Sequence, residues 1–240
     1  MAKNIKKRSA SHIYFGVNKL TGELKHISEV PSGQKCNCIC AACLQPFEAR
    51  KGTRRRHHFA HVSNYECMYA SEVAIYKAFA EALKQSGFLA LPPVMLRFPA
   101  WHDPELLQEA RRLKIDSVAF ECEPLSYPPL LRVTMQGTPL RILLDFDRYY
   151  DDDDRVELAE EAKAEDYSLL LISMPKIDQD TEFTPDRLQS VLQDNDRTEW
   201  VFSRLEEQWK QKYYAVAVSP PEHGTGNLCP ISFGKYKGKY

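Results

Sequence analysis

Apolar and polar residues alternate in HIYFGV and again in ELKHISEV, and the intervening NKLTG ends in Gly22, a residue free to take a positive φ. A β-hairpin over about His12 to Val30 is the expectation. The period changes at Ser71. SEVAIYKAFAEALKQSG places Val73, Tyr76, Phe79, Ala80 and Leu83 on one helical stripe, with Ser71 as its cap and Gly87 as its stop. HDPELLQEARRL repeats the helix-start signals, since Asp103 stands at a cap position and Pro104 at the first helical one. Strand-like runs follow near Asp116 to Glu123, Leu130 to Gln136 and Leu140 to Asp147, the last two joined by the tight turn QGTP. They predict an antiparallel meander.

DDDDRVELAEEAKAED predicts a solvated helix whose negative first turn suits the helix dipole, and YSLLLISMP predicts a fully buried strand. Thr184 and Pro185 open another helix, and a last one is expected from about Asp196 to Tyr213 around Trp200, Leu205 and Trp209. A meander followed by a helix and one further strand requires a mixed sheet covered by helices. The fold class is therefore α/β with a small hairpin module in front: residues 1–69 form the module, 70–213 the α/β domain, and 214–240 an extended basic tail ending in FGKYKGKY.

With 43% hydrophobic and 27% charged residues, the composition is that of a globular protein and not of a disordered one. No apolar run approaches the roughly 20 residues that cross a bilayer, and MAKNIKKRSASH has no apolar block behind its lysines, so a cytoplasmic protein without a membrane partner is expected. Charge changes the picture more. Residues 1–61 carry twelve Lys/Arg against three Asp/Glu, a balance of +9, whereas the whole chain carries −1, which leaves −10 for the remainder. A polyanion should meet the N-terminal module first.

Seven cysteines, an odd number, do not suggest a disulfide framework in a chain of this size, and metal binding is the better reading. Cys40 and Cys43, two residues apart in between, can present both thiolates to one ion. After fourteen intervening residues come His58 and His61, which complete a Cys2His2 set for structural Zn2+; Cys67 can replace one histidine and Cys38 can replace Cys40. Cys36 and Cys38 otherwise read as surface thiols and His57 as a solvated neighbour. Four protein ligands leave no open position for a catalytic water. Between the ligand pairs lies RKGTRRRH, whose Arg50, Lys51, Arg54, Arg55 and Arg56 form a loop able to neutralise phosphates of DNA.

TGELKHISEVPSGQKCNCICAAC, then HHFAH and EC, closely resemble the N-terminal module of the competence protein CoiA-like family. In that family a CxxC and an HFAH motif precede a restriction-endonuclease-like domain. The resemblance implies a PD-(D/E)xK nuclease fold and a role in DNA processing, with Mg2+ held by carboxylates on adjacent strands. The family's RPDV segment corresponds to LLRV, which puts Arg132 where the Asp belongs, and its second acid corresponds to Leu143 in ILLD. Tyr76 stands where a His is usual, while Glu72 is retained. An active enzyme would need a rearranged site, for which Glu121, Asp145 and Asp147 are the candidates. The expectation is a DNA-binding, nuclease-like protein with a degenerate catalytic site, accessory to DNA uptake, recombination or defence. A metal-dependent nuclease is the alternative, and an adaptor engaging a protein partner through the acidic helix or the C-terminal tail is a third.

Overall fold

The computed structural model describes residues 12–63, 67–97, 103–122, 128–146, 150–177 and 181–218. At the N-terminal side β1 (Phe15–Asn18) pairs with β2 (Leu24–His26), and Gly22 takes a φ of +72° in the turn between them. The short β3 (Cys38–Ile39) joins the other edge of β1. A second hairpin, β4 (Phe47–Arg50) with β5 (His58–His61), packs against this sheet. Gly16 makes that approach possible, because a Cβ there would stand 3.1 Å from Cys38 Cβ and 3.3 Å from the Phe47 ring. Phe47 and Phe59 stack at 5.4 Å between ring centroids, and both are buried with Phe15 and Ile27.

The amphipathic stripe forms α1 (Ala70–Ser86), with Gly87 at φ +65° returning its amide to Leu83 O at 3.0 Å. The cap is Tyr69 and not Ser71, which is buried in the first turn and donates its hydroxyl to His12 O at 3.5 Å. The helix expected at HDPELLQEARRL is a pair of strands. β6 (Phe88–Leu91) and β7 (Val94–Leu96) are answered by β8 (Glu105–Gln108) and β9 (Arg111–Lys114), giving one bent hairpin in which β6 pairs β9 and β7 pairs β8. Pro92 and Pro93 cannot donate to a ladder and mark the bend. The cap signals at Asp103 and Pro104 are purely local, and pairing with β6 and β7, which lets Leu113 pack on the core, overrides them.

The central sheet has the order β10 (Ser117–Glu121), β11 (Leu130–Met135), β12 (Thr138–Phe146), β13 (Ser168–Met174) and β14 (Thr198–Phe202). The first three form the expected meander, with Gln136 at φ +50° and Gly137 at φ +73° making the tight turn. α2 (Asp152–Ala164) then carries the chain back so that β13 runs parallel to β12, and β14 closes the sheet antiparallel to β13. α3 (Pro185–Gln193) starts at Thr184 and Pro185 as expected. Trp200 lies in β14 and not in a helix; TEWVF is rich in aromatic and β-branched residues and finds a ready partner in β13. The last helix, α4 (Arg204–Val218), takes in residues 214–218, which were expected in the tail, and FGKYKGKY lies outside the described residues.

The two sheet faces bury different partners. Leu131, Val133, Ile142, Leu144, Leu170 and Ile172 share one continuous core with α1, α3 and the module's Phe47 and Phe59, whereas Leu143, Leu169 and Leu171 pack with Ala162 of α2. The sheet therefore stands between the acidic helix and the basic module. No helix among the described residues is long and apolar enough to cross a membrane.

Candidate metal centre

Cys40 lies just after β3, where the chain turns on itself: its amide donates to Gln45 O at 2.9 Å, and the Leu44 amide donates to Cys40 O at 3.0 Å. Leu44 sits at φ +61°, the left-handed region a branched side chain normally avoids. This knuckle aims Cys40 and Cys43 at His61, the last residue of β5, and at Cys67, which precedes α1. The four ligand atoms lie within 4.8 Å of one another, with Cys43 Sγ and His61 Nε2 at 3.2 Å. A tetrahedral zinc with Zn–S of about 2.3 Å and Zn–N of about 2.0 Å has ligand-to-ligand edges of about 3.5–3.8 Å. The group could hold a metal ion and is consistent with structural zinc.

Hydrogen bonding separates these cysteines from their neighbours. The Ala42 amide donates to Cys40 Sγ at 3.4 Å, and the amides of Gln45 and Tyr69 point at Cys43 and Cys67, so each sulfur receives an N–H from two residues onward. Such donors favour thiolates. Cys67 is held down to about 6 by the thiol of Cys40, then by that of Cys43 and the Tyr69 amide, against the opposing effect of burial. Cys40 is pushed up, by its hydrogen bond to Cys67 and by burial, and burial also pushes Cys43 up. Burial keeps His61 below its ordinary range, as the neutral imidazole a metal requires. Cys36 and Cys38 behave oppositely: both are buried, not surface thiols, and they donate to Phe47 O at 3.4 Å and Cys36 O at 3.2 Å. Burial and the neighbouring Cys36 push Cys38 up to about 12.

His58 is not brought to the group. It lies in the same strand as His61, three residues away, and the two-residue side-chain period of a strand puts them on opposite faces. His61 faces Phe47 at 4.8 Å, while His58 meets the His12 ring edge-on at 4.6 Å and contacts Arg56 O through Nδ1 at 2.9 Å. Cys67 takes the fourth place. Alternation in FEAR and HFAH, flanking a polar loop, would have announced a hairpin with Phe59 and His61 on one side. The exchange has a structural consequence: a ligand at the entrance to α1 would make the ion tie the hairpin to that helix.

The basic loop joins β4 to β5. Arg50 pairs with Glu48 at 2.8 Å, Lys51 donates to Ser28 O at 3.3 Å and to Val30 O, and Arg56 approaches Glu182 at 3.9 Å. Arg54 and Arg55 are exposed at the tip and have no ion-pair partner among the described residues. Both ends of the loop are thus anchored and its two central guanidiniums are presented to solvent.

The candidate carboxylates do not converge. Glu121 and Asp145 share a sheet face, but they sit two strands and two residues apart, about 12 Å between Cα atoms for ordinary sheet spacing. Glu121 is ion-paired with Arg132 instead, and Asp147 lies outside the described residues. Among the described residues the Cys/His group is the one cluster suited to a metal. Leu143 is 8% exposed and packs with Tyr150, Ala162 and Tyr167 under α2. Tyr76 is buried, and its hydroxyl accepts from Leu144 N at 2.8 Å and donates to Leu144 O at 3.4 Å. In the β11–β12 register Pro129 would stand opposite Leu144 and cannot donate, so the tyrosine supplies the missing partner.

Ion pairs tie the C-terminal end of the acidic helix to neighbouring elements, while no ion pair among the described residues reaches Asp152, Asp153, Glu157 or Glu160. Arg141 pairs with Glu161 and Glu165 and covers Tyr167 at 3.8 Å, Lys163 meets Glu207 at 2.9 Å, Arg204 meets Asp166 at 2.8 Å, and Arg155 pairs with Glu199. No protein-family model, curated protein or solved structure matches this chain.

Proposed function

We propose that this protein is a zinc-clipped, DNA-binding member of the CoiA-like type whose nuclease-like core does not assemble the divalent-ion site of an active enzyme, and that it serves DNA uptake, recombination or defence as an accessory factor. The observation that carries this reading is the anchored loop with Arg54 and Arg55 exposed and free of acidic partners among the described residues. Two unpartnered guanidiniums on a loop tied down at both ends can neutralise neighbouring phosphates, and the tied backbone has less entropy to lose than a free loop. The helix, antiparallel meander, helix and parallel fourth strand are compatible with a restriction-endonuclease-like core.

Where the resemblance calls for acids, Arg132 and Leu143 offer an ion-paired cation and a packed methyl surface. That supports binding over cleavage. An adaptor engaging a basic partner through the acidic helix remains the second reading, since Asp152, Asp153, Glu157 and Glu160 have no ion pair among the described residues.

Fluorescence anisotropy with duplex DNA at about 50 mM and about 200 mM salt tests the reading, since Arg54→Ala with Arg55→Ala should reduce the log–log salt slope by about 2. Product analysis with Mg2+ and Mn2+ should show no cleavage. Robust Mg2+-dependent cutting abolished by Asp145→Ala would establish the nuclease instead, and absence of salt-sensitive binding would reject DNA as the partner.

A further inference from the structure

The bent hairpin carries a second cationic surface unrelated to the basic loop. On one face of the β6–β9 pair, Phe88 stands opposite Lys114 and Ala90 opposite Arg112. The Arg112 guanidinium lies over the Phe88 ring, 4.9 Å from its centroid, and Phe88 is 41% exposed. Arg111 and Lys114 are exposed as well, so three of the four residues of β9 are solvent-facing cations.

Edge strands are often charged merely to prevent aggregation. Two features set this strand apart. It belongs to the part of the chain whose formal balance is −10, where Arg97, Arg132, Arg141, Arg155, Lys163, Arg197 and Arg204 have carboxylate partners and the scattered cations Lys77, Arg187 and Lys212 meet a ring or a backbone carbonyl instead. Arg111, Arg112 and Lys114 have no ion pair among the described residues. The second feature is the aromatic ring in their midst, since a large exposed apolar side chain does nothing for solubility. An exposed ring already stacked on a guanidinium offers a flat, sequence-tolerant platform for a nucleobase, with cations alongside for the flanking phosphates.

We propose that the Phe88–Arg112–Lys114 face, with Arg111 at its margin, binds single-stranded nucleic acid by base stacking and phosphate pairing. Duplex DNA keeps its bases stacked internally and cannot use the ring, so the site selects unpaired strands. This rests on the nucleic-acid reading above, and it places a single-strand contact on a different element from the basic loop.

The test is anisotropy titration of the full chain with oligothymidylate of about 20 nucleotides, a duplex of equal length, polyglutamate and anionic phosphatidylserine vesicles. Phe88→Ala should weaken oligothymidylate binding roughly 5- to 150-fold while leaving duplex binding unchanged. Arg112→Ala with Lys114→Ala should lower the single-strand salt slope by about 1.4. Ultraviolet cross-linking of bound oligothymidylate to the wild-type chain should map to residues 88–114, a readout that does not depend on how the variants fold. Unchanged oligothymidylate affinity in these variants, or cross-links confined to residues 50–57, would overturn the inference while leaving the basic-loop reading intact. Equal or tighter binding of polyglutamate or vesicles would overturn it in favour of a peptide or a lipid surface. If the wild type binds no nucleic acid, both readings fall.

Discussion

The knuckle-and-hairpin module and the five-stranded sheet solve the same problem by different means. In the sheet, β12 and β13 are long apolar runs that pair in parallel and bury both faces, one under α1 and α3 and the other under α2. In the module the strands are two to four residues long and divided between two small sheets, and the chain turns at the left-handed residues Asn37 and Leu44. Strands so short cannot hold themselves together in water. A metal held by the four side chains brought to one point would compensate, and because Cys67 belongs to the entrance of α1, it would also fasten the module to the sheet's own core. Burial is distributed over many residues and tolerates local error, while a ligand set is concentrated and fails when one member is lost.

The sharpest way to break this contrast is to remove the cross-link. A strong chelator, or Cys40→Ser, is expected to destabilise the module by more than about 4 kcal/mol and to abolish amide protection over residues 38–61 while β11 to β13 stay protected in hydrogen exchange. Elemental analysis sharpens the ligand assignment: His61→Ala or Cys67→Ala should lose the metal, and His58→Ala should retain it.

Tyr76→Phe attacks the sheet side. It strands the Leu144 amide and carbonyl in a buried site, so urea denaturation should register a loss of about 1–3 kcal/mol with metal content unchanged. Gly16→Ala attacks packing within the module, where the added methyl meets Cys38 Cβ and the Phe47 ring; a loss of about 1–2 kcal/mol in thermal unfolding is expected. Leu44→Gly should have the smallest effect and the opposite sign. It relieves a left-handed φ at an exposed position and should raise stability by about 1 kcal/mol.

Legibility followed the same division. The meander, α2, the buried β13 and α3 were readable because their signals are local and periodic: apolar runs, an acidic first turn, and a Thr–Pro start. At 105–114 and 198–202 the local signals point to helices, but short segments with mixed signals are decided by whichever partner lies beside them, here β6, β7 and β13. At the candidate centre, three of the four preferred ligands, Cys40, Cys43 and His61, are among those brought together, and the alternate Cys67 is the fourth. An HxxH spacing brings both histidines to one point on a helical or loop turn, but in a strand it places His58 and His61 on opposite faces.

Read alone, the chain already specified an α/β protein with a cysteine- and histidine-rich front end, a basic loop and an acidic helix, since composition, spacing and hydrophobic period are properties of neighbouring residues. Tertiary pairing alone decided that His61 turns inward and His58 outward, that Cys67 completes the set, and that Glu121 answers to Arg132 and not to Asp145. Those outcomes depend on which strand lies against which, and in a sheet a single step of register moves a side chain to the other face.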